Sequence, residues 1–105
     1  MRVRLSPQEV EVLRKLGEIL ERLDADELKV FEYVWDNISV GEIVFARDLE
    51  RVYGVAKPLI KARSLREKGL IERGEGCYNL ARWLRPLRKK IPSFNELKRI
   101  ISRIW

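Results

Sequence analysis

Residues 46–80 read ARDLERVYGVAKPLIKARSLREKGLIERGEGCYNL, and the period of the apolar positions changes twice within them. Ala46, Leu49, Val52 and Tyr53 recur at helical spacing and predict a helix with those residues facing inward, closed by Gly54 as a C-cap. A further core helix is predicted from Pro58 to Lys68, stopped by Gly69. Leu70-Ile71-Glu72-Arg73 and Cys77-Tyr78-Asn79-Leu80 then form two short strands around Gly74-Glu75-Gly76, a hairpin by loop length and glycine content. Gly69 has a physical reason to be glycine: the chain must leave a helix in a left-handed conformation and at once begin a strand.

Working outward to the amino terminus, Asp24 caps a helix whose first turn carries Asp26 and Glu27, where the macrodipole favours negative charge. Leu28, Phe31, Val34, Trp35 and Ile38 follow at helical spacing, so their aromatic rings are packing residues. Ser39 and Gly41 break this helix, and Glu42-Ile43-Val44-Phe45 is predicted as a short strand rich in β-formers. Upstream, Ser6-Pro7-Gln8-Glu9 has the pattern of a capping box with proline in the first turn, opening a helix to about Leu23. That helix carries two apolar stripes, Val10, Leu13, Leu16, Leu20 and Val12, Leu16, Ile19, Leu23, together wider than one buried face needs. Either the helix is sunk in its own core, or one stripe meets a second subunit. Toward the carboxyl terminus, Arg82 to Lys90 is a basic helix or turn interrupted by Pro86. A second S-x-x-E box at Ser93 and Glu96 opens a final helix with Leu97, Ile100, Ile101, Ile104 and Trp105 on its apolar face.

The 105 residues suffice for one domain with one modest core. The net charge is +6, but it is divided: residues 1–50 hold 7 basic and 12 acidic side chains, residues 51–105 hold 15 and 4. An anionic partner would therefore meet the second half. There is no histidine and one cysteine, Cys77, so Cys/His zinc sites, an intramolecular disulfide and a histidine-activated nucleophile are excluded, and neither an enzyme nor a cofactor is expected. Cys77 reads as a small hydrophobe on a strand. The apolar runs are too short to insert in a membrane, and the amino terminus lacks the order of a signal peptide, which points to a cytoplasmic location. High charge with no threonine and one glutamine is thermophile-like.

The segment 46–80, and above all Leu65-Arg66-Glu67-Lys68-Gly69-Leu70-Ile71-Glu72-Arg73, resembles the winged helix-turn-helix of DNA-binding proteins. With helices at both ends, the order of elements is similar to that of MarR-type regulators and of small archaeal-type transcription regulators. The resemblance implies a mostly α fold with a small β-hairpin wing, an α+β winged helix-turn-helix with extra N- and C-terminal helices. It would be one domain over 1–105, with an N-terminal helix (1–23), a winged-helix core (24–80) and C-terminal helices (81–105). It also implies binding of double-stranded DNA in transcription regulation, with Pro58 to Lys68 as recognition helix in the major groove and the hairpin along the backbone or minor groove.

On a 100° wheel of that helix Pro58, Ala62 and Leu65, with Leu59 beside them, form the core side; Lys57, Lys61, Ser64 and Lys68 form one flank, Arg63 lies on the other, and Ile60 points outward. The DNA-binding candidates are thus Lys57, Ile60, Lys61, Arg63 and Ser64, with Arg47 and the wing's Arg73 as backbone contacts and Arg82, Arg85 and Arg88 as further phosphate contacts. The MarR-like ends imply a homodimer through Val12, Leu16, Ile19, Ile101, Ile104 and Trp105. Two features lean another way: Ala56 leaves the recognition helix without an obvious side-chain cap, and Glu75 puts an acid at the wing tip. With the outward Ile60, Glu75 favours the alternative of a winged-helix protein-interaction module in a replication, transcription or membrane-remodelling assembly. The competing reading of the charges is a solvated face with local pairs such as Arg63–Glu67, but the basic surplus within and beyond the reading unit favours DNA contact.

Overall fold

The computed structural model describes residues 4–37 and 40–104. Helix α1 spans Pro7–Leu20 and α2 Ala25–Asp36. Strand β1 (Val40–Gly41) leads into α3 (Glu42–Arg51), and α4 is Pro58–Glu67. Strands β2 (Ile71–Arg73) and β3 (Cys77–Leu80) follow, then a 3-10 turn at Arg82–Leu84, α5 (Arg85–Lys90) and α6 (Phe94–Ile104). The chain is mostly helical with a small antiparallel hairpin, as the sequence predicts.

The first two helices start where their capping boxes place them. Ser6 Oγ accepts from the Glu9 N–H while Glu9 Oε1 accepts from the Ser6 N–H, and Asp24 and Glu27 exchange the same pair of bonds at 2.7 and 3.1 Å. Helix α1 ends at Leu20, one turn earlier than expected. The predicted strand 42–45 is instead the first turn of α3. Its β-forming composition loses to a helical contact: Phe45 and Leu49, four residues apart, are both fully buried, and Phe45 lies 4.6 Å from Tyr78 and 5.7 Å from Tyr33, ring centre to ring centre. The strand that does form is the preceding pair, Val40 and Gly41, opposite Tyr78 and Cys77. The sheet therefore has order β1-β3-β2, with Ile71 opposite Leu80 and Arg73 opposite Tyr78.

Val52, expected to face inward, is 73% exposed although its backbone is still helical at the C-cap of α3. The chain reverses through Gly54 (φ +68°), and Val55 fills the core in its place, its N–H donating to the Leu49 carbonyl. Gly69 has the left-handed conformation expected of it, φ +77°.

One cluster of buried side chains joins all the helices. At its centre Trp35 donates from Nε1 to the Ile91 carbonyl at 2.9 Å, and Phe31 touches both Trp35 and Phe94. Both stripes of α1 contribute: Leu13 and Leu16 are fully buried, and Val12, Ile19, Leu20 and Leu23 are half-buried against the same cluster. Of the residues expected at a dimer seam, Leu16 thus has no surface left to offer, and Val12, Ile19 and Ile101 pack on their own core. The Ile104 side chain, Trp105, Ile38 and Ser39 lie outside the described residues.

Candidate protein-interaction face

Helix α4 is held by its inward side. Pro58, Ala62 and Leu65 are buried as the wheel places them, while Leu59, expected beside them, is 42% exposed at the border of the buried stripe. Lys57 caps the helix without a side-chain hydrogen bond, as the neighbouring Ala56 implied.

The flank toward α2 is closed by ion pairs. Lys61 Nζ donates to Asp24 Oδ2 at 2.8 Å. Lys68 Nζ and Ser64 Oγ both donate to Glu27 Oε2, at 2.5 and 2.7 Å. Glu27 is 5% exposed, the one charged side chain that is buried among the described residues. Burial pushes its pKa up, but the Lys68 ammonium, the Ser64 hydroxyl and the backbone N–H of Asp24 outweigh it, so the carboxyl sits below the ordinary value of 4.5. The hydrogen bond from Lys61, then the Glu27 N–H, lower the Asp24 pKa, and the same ion pair raises that of Lys61. Two DNA-binding candidates, Lys61 and Ser64, are therefore engaged inside the chain.

The other flank and the outer face are open. Ile60 is 60% exposed, and Arg63 pairs with Glu67 at 3.4 Å with both side chains well exposed. Arg63, Arg66 and Glu67 face Ile71, Glu72 and Arg73 across an open cleft of about 490 Å3. A second opening of about 350 Å3 is lined by Gly41, Ile43, Val44, Arg73 and Gly76. Arg73 lines both, so apolar and cationic surface meet at the hairpin. Ile43, at 83%, is the most exposed large apolar residue described, and with Val44, Val52, Leu59 and Ile60 it places every such residue between positions 43 and 60. They fall on the first turn of α3, the residue after α3 and the first turn of α4, and Ile43 and Val44 share the second opening.

The remaining candidates divide. Arg47 and Lys57 are exposed. Arg82 is exposed, its backbone N–H donating to Glu72. Arg85 and Arg88 are structural: Arg85 donates to the Leu80 carbonyl and to Glu72, and Arg88 donates to the Trp35 carbonyl. Ile43, Val44, Val52 and Leu59 were missed because 42–45 reads as a strand and Val52 and Leu59 fit a core period. A helical wheel begun at Glu42 brings Phe45 and Leu49 together and turns Ile43 and Val44 away, which is the signal that finds the first two.

The family model described as PolB1 Binding Protein 2 matches residues 24–86. The chain belongs to that family. The matched segment runs from the cap of α2 through the hairpin to the start of α5, so it contains the α3–α4 unit, both openings and the Asp24 and Glu27 pairs, and leaves α1 and α6 outside. No curated protein matches the chain. Among the described residues no helix is long and apolar enough to cross a membrane.

Proposed function

We propose that this chain is a non-catalytic accessory module that docks on a protein partner through α3, the first turn of α4 and the hairpin, and that the partner is the PolB1 of the family's name, taken as a DNA polymerase. The observation that carries the reading is that the exposed large apolar residues among those described, Ile43, Val44, Val52, Leu59 and Ile60, all fall on α3, the residue after it and the first turn of α4. The arginines beside them suit an interface rim, since aromatic residues, methionine and arginine are enriched at interfaces while isolated lysines are not. The element order α3, α4, hairpin supports the likeness to a winged helix-turn-helix, here used to hold a protein and not as a transcription regulator.

The test is titration of PolB1 with wild-type chain and with Ile43→Asp and Ile60→Asp. Both residues are exposed, so each variant keeps its fold, and a buried charge at the interface weakens binding at least about tenfold. Unchanged affinity in both variants rejects the reading.

A second reading, duplex-DNA binding, is favoured by one observation: Arg63, Arg66 and Arg73 share the larger cleft. It requires affinity for duplex DNA that falls steeply with salt and is lost in Arg66→Glu with PolB1 binding intact.

A further inference from the structure

The ion pairs between α2 and α4 have a position that bears on what the α4 face can accept. Lys61, Ser64 and Lys68 form the flank that a phosphate backbone would meet if α4 entered a groove. Each is already bonded to a carboxylate at the start of α2: Lys61 to Asp24, and Ser64 and Lys68 together to one oxygen of Glu27. These two acids are also the N-cap and third residue of α2, where they satisfy each other's backbone N–H groups. The helix start thus holds the carboxylates in place, so a phosphate must share Lys61 and Lys68 with acids that already neutralise them, and drawing Lys68 and Ser64 away would leave the buried Glu27 charge unpaired at a large cost.

We infer that Asp24 and Glu27 are specificity-determining residues of the docking face: by pairing Lys61, Ser64 and Lys68 inside the chain, they make α4 a surface for protein and a poor one for duplex DNA. This rests on the protein-docking reading above. On a basic chain, the residues that cap the neighbouring helix thus set two carboxylates against nucleic acid.

Capping and charge can be separated. Asparagine caps a helix as well as aspartate, and glutamine completes a capping box as glutamate does, so Asp24→Asn and Glu27→Gln remove charge while keeping the start of α2. Asp24→Asn alone touches a half-exposed carboxylate and is the variant that folds most safely.

The experiment titrates a fluorescent 20-base-pair duplex with wild type, Asp24→Asn, the double variant Asp24→Asn/Glu27→Gln and a charge-matched control, Glu11→Gln/Glu18→Gln, on exposed positions of α1. The expected result is weak wild-type binding, a gain in Asp24→Asn, and a larger gain in the double variant whose log–log salt slope is steeper by about two, one for each freed lysine. The control stays near wild type. Equal gains in control and double variant mean net charge alone acts and overturn the inference; so does no gain in either Asp24 variant with its helix content intact. Ile60→Asp titrated with PolB1 reads the docking proposal separately, because Ile60 touches neither carboxylate pair and the duplex titration contains no PolB1.

Discussion

The two flanks of α4 carry the same sign of charge in the sequence and opposite roles in the structure. Toward α2, Lys61 and Lys68 are paired with Asp24 and Glu27; toward the hairpin, Arg63 and Arg66 line an open cleft with Glu67, Glu72 and Arg73. The acidic first half and basic second half of the chain meet along the first of these flanks, and again where Lys90 donates to Glu9. Part of the surplus of positive charge along the sequence is therefore spent inside the chain. What α4 offers is decided by which carboxylates the fold brings against it.

The inward side sets the scale for everything else. Leu65→Ala empties a fully buried site between α4 and the core, and an unfolding free energy lower by about 2–5 kcal/mol is expected in urea denaturation. A loss under about 1 kcal/mol would mean that α4 is held chiefly by its flanks, which reverses the order of importance argued for it.

Acid is expected to break the α2 flank first. The pKa values of Glu27 and Asp24 are lowered in the folded chain. Such groups contribute stability fully present above their unfolded values, near 4.5 and 3.8, and lost as pH falls through the lower folded ones. Glu27 carries the larger part, since Asp24 is about half exposed and its pair is screened. Comparing denaturation of wild type and Glu27→Gln between neutral pH and pH 3 should show the wild type losing more. Parallel losses would place the acid-sensitive group elsewhere.

Most of the fold is legible in the sequence because its signals are local and redundant. Ser6 with Glu9, and Asp24 with Glu27, mark two helix starts; Gly54 and Gly69 mark two exits through positive φ; Gly74-Glu75-Gly76 marks the hairpin. The strand expected at Glu42–Phe45 fails because local β-preference is outweighed by burial of Phe45 and Leu49 on one helical face, a contact with Tyr33 and Tyr78 that no window of sequence contains. The candidate site is half legible for the same reason. Ile60, Arg63 and Arg73 emerge from a wheel and a hairpin, but the partners of Lys61 and Lys68 lie 37 and 41 residues away. Nothing in the spacing of Asp24 and Glu27 beyond their capping role announces that they also face α4.

A smaller effect separates capping from pairing on the closed flank. Ser64→Ala removes one of the donors to Glu27 Oε2 and leaves Lys68 as the other side-chain donor. Hydrogen bonds to charged groups contribute about 1.5–3 kcal/mol, so a loss near the lower end is expected, with the helix start unchanged because Asp24 and Glu27 still cap α2. A loss below about 0.5 kcal/mol would show that water replaces the hydroxyl and that this flank is wetter than the burial of Glu27 implies.

The smallest effect on stability is expected at Arg63, on the open flank. Its pair with Glu67 spans 3.4 Å between two well-exposed side chains, and the basic residue precedes the acidic one, the less favourable order along a helix. Such pairs contribute at most a few tenths of a kcal/mol, and alanine's higher helix propensity offsets part of that. Arg63→Ala should therefore unfold within about 0.3 kcal/mol of wild type, while weakening whichever partner occupies the cleft between α4 and β2. A cost approaching that of Ser64→Ala would mean that Arg63 is bound into the fold as Lys61 and Lys68 are. The two flanks of α4 would then be alike, and the contrast that assigns one to the chain and the other to its partner would disappear.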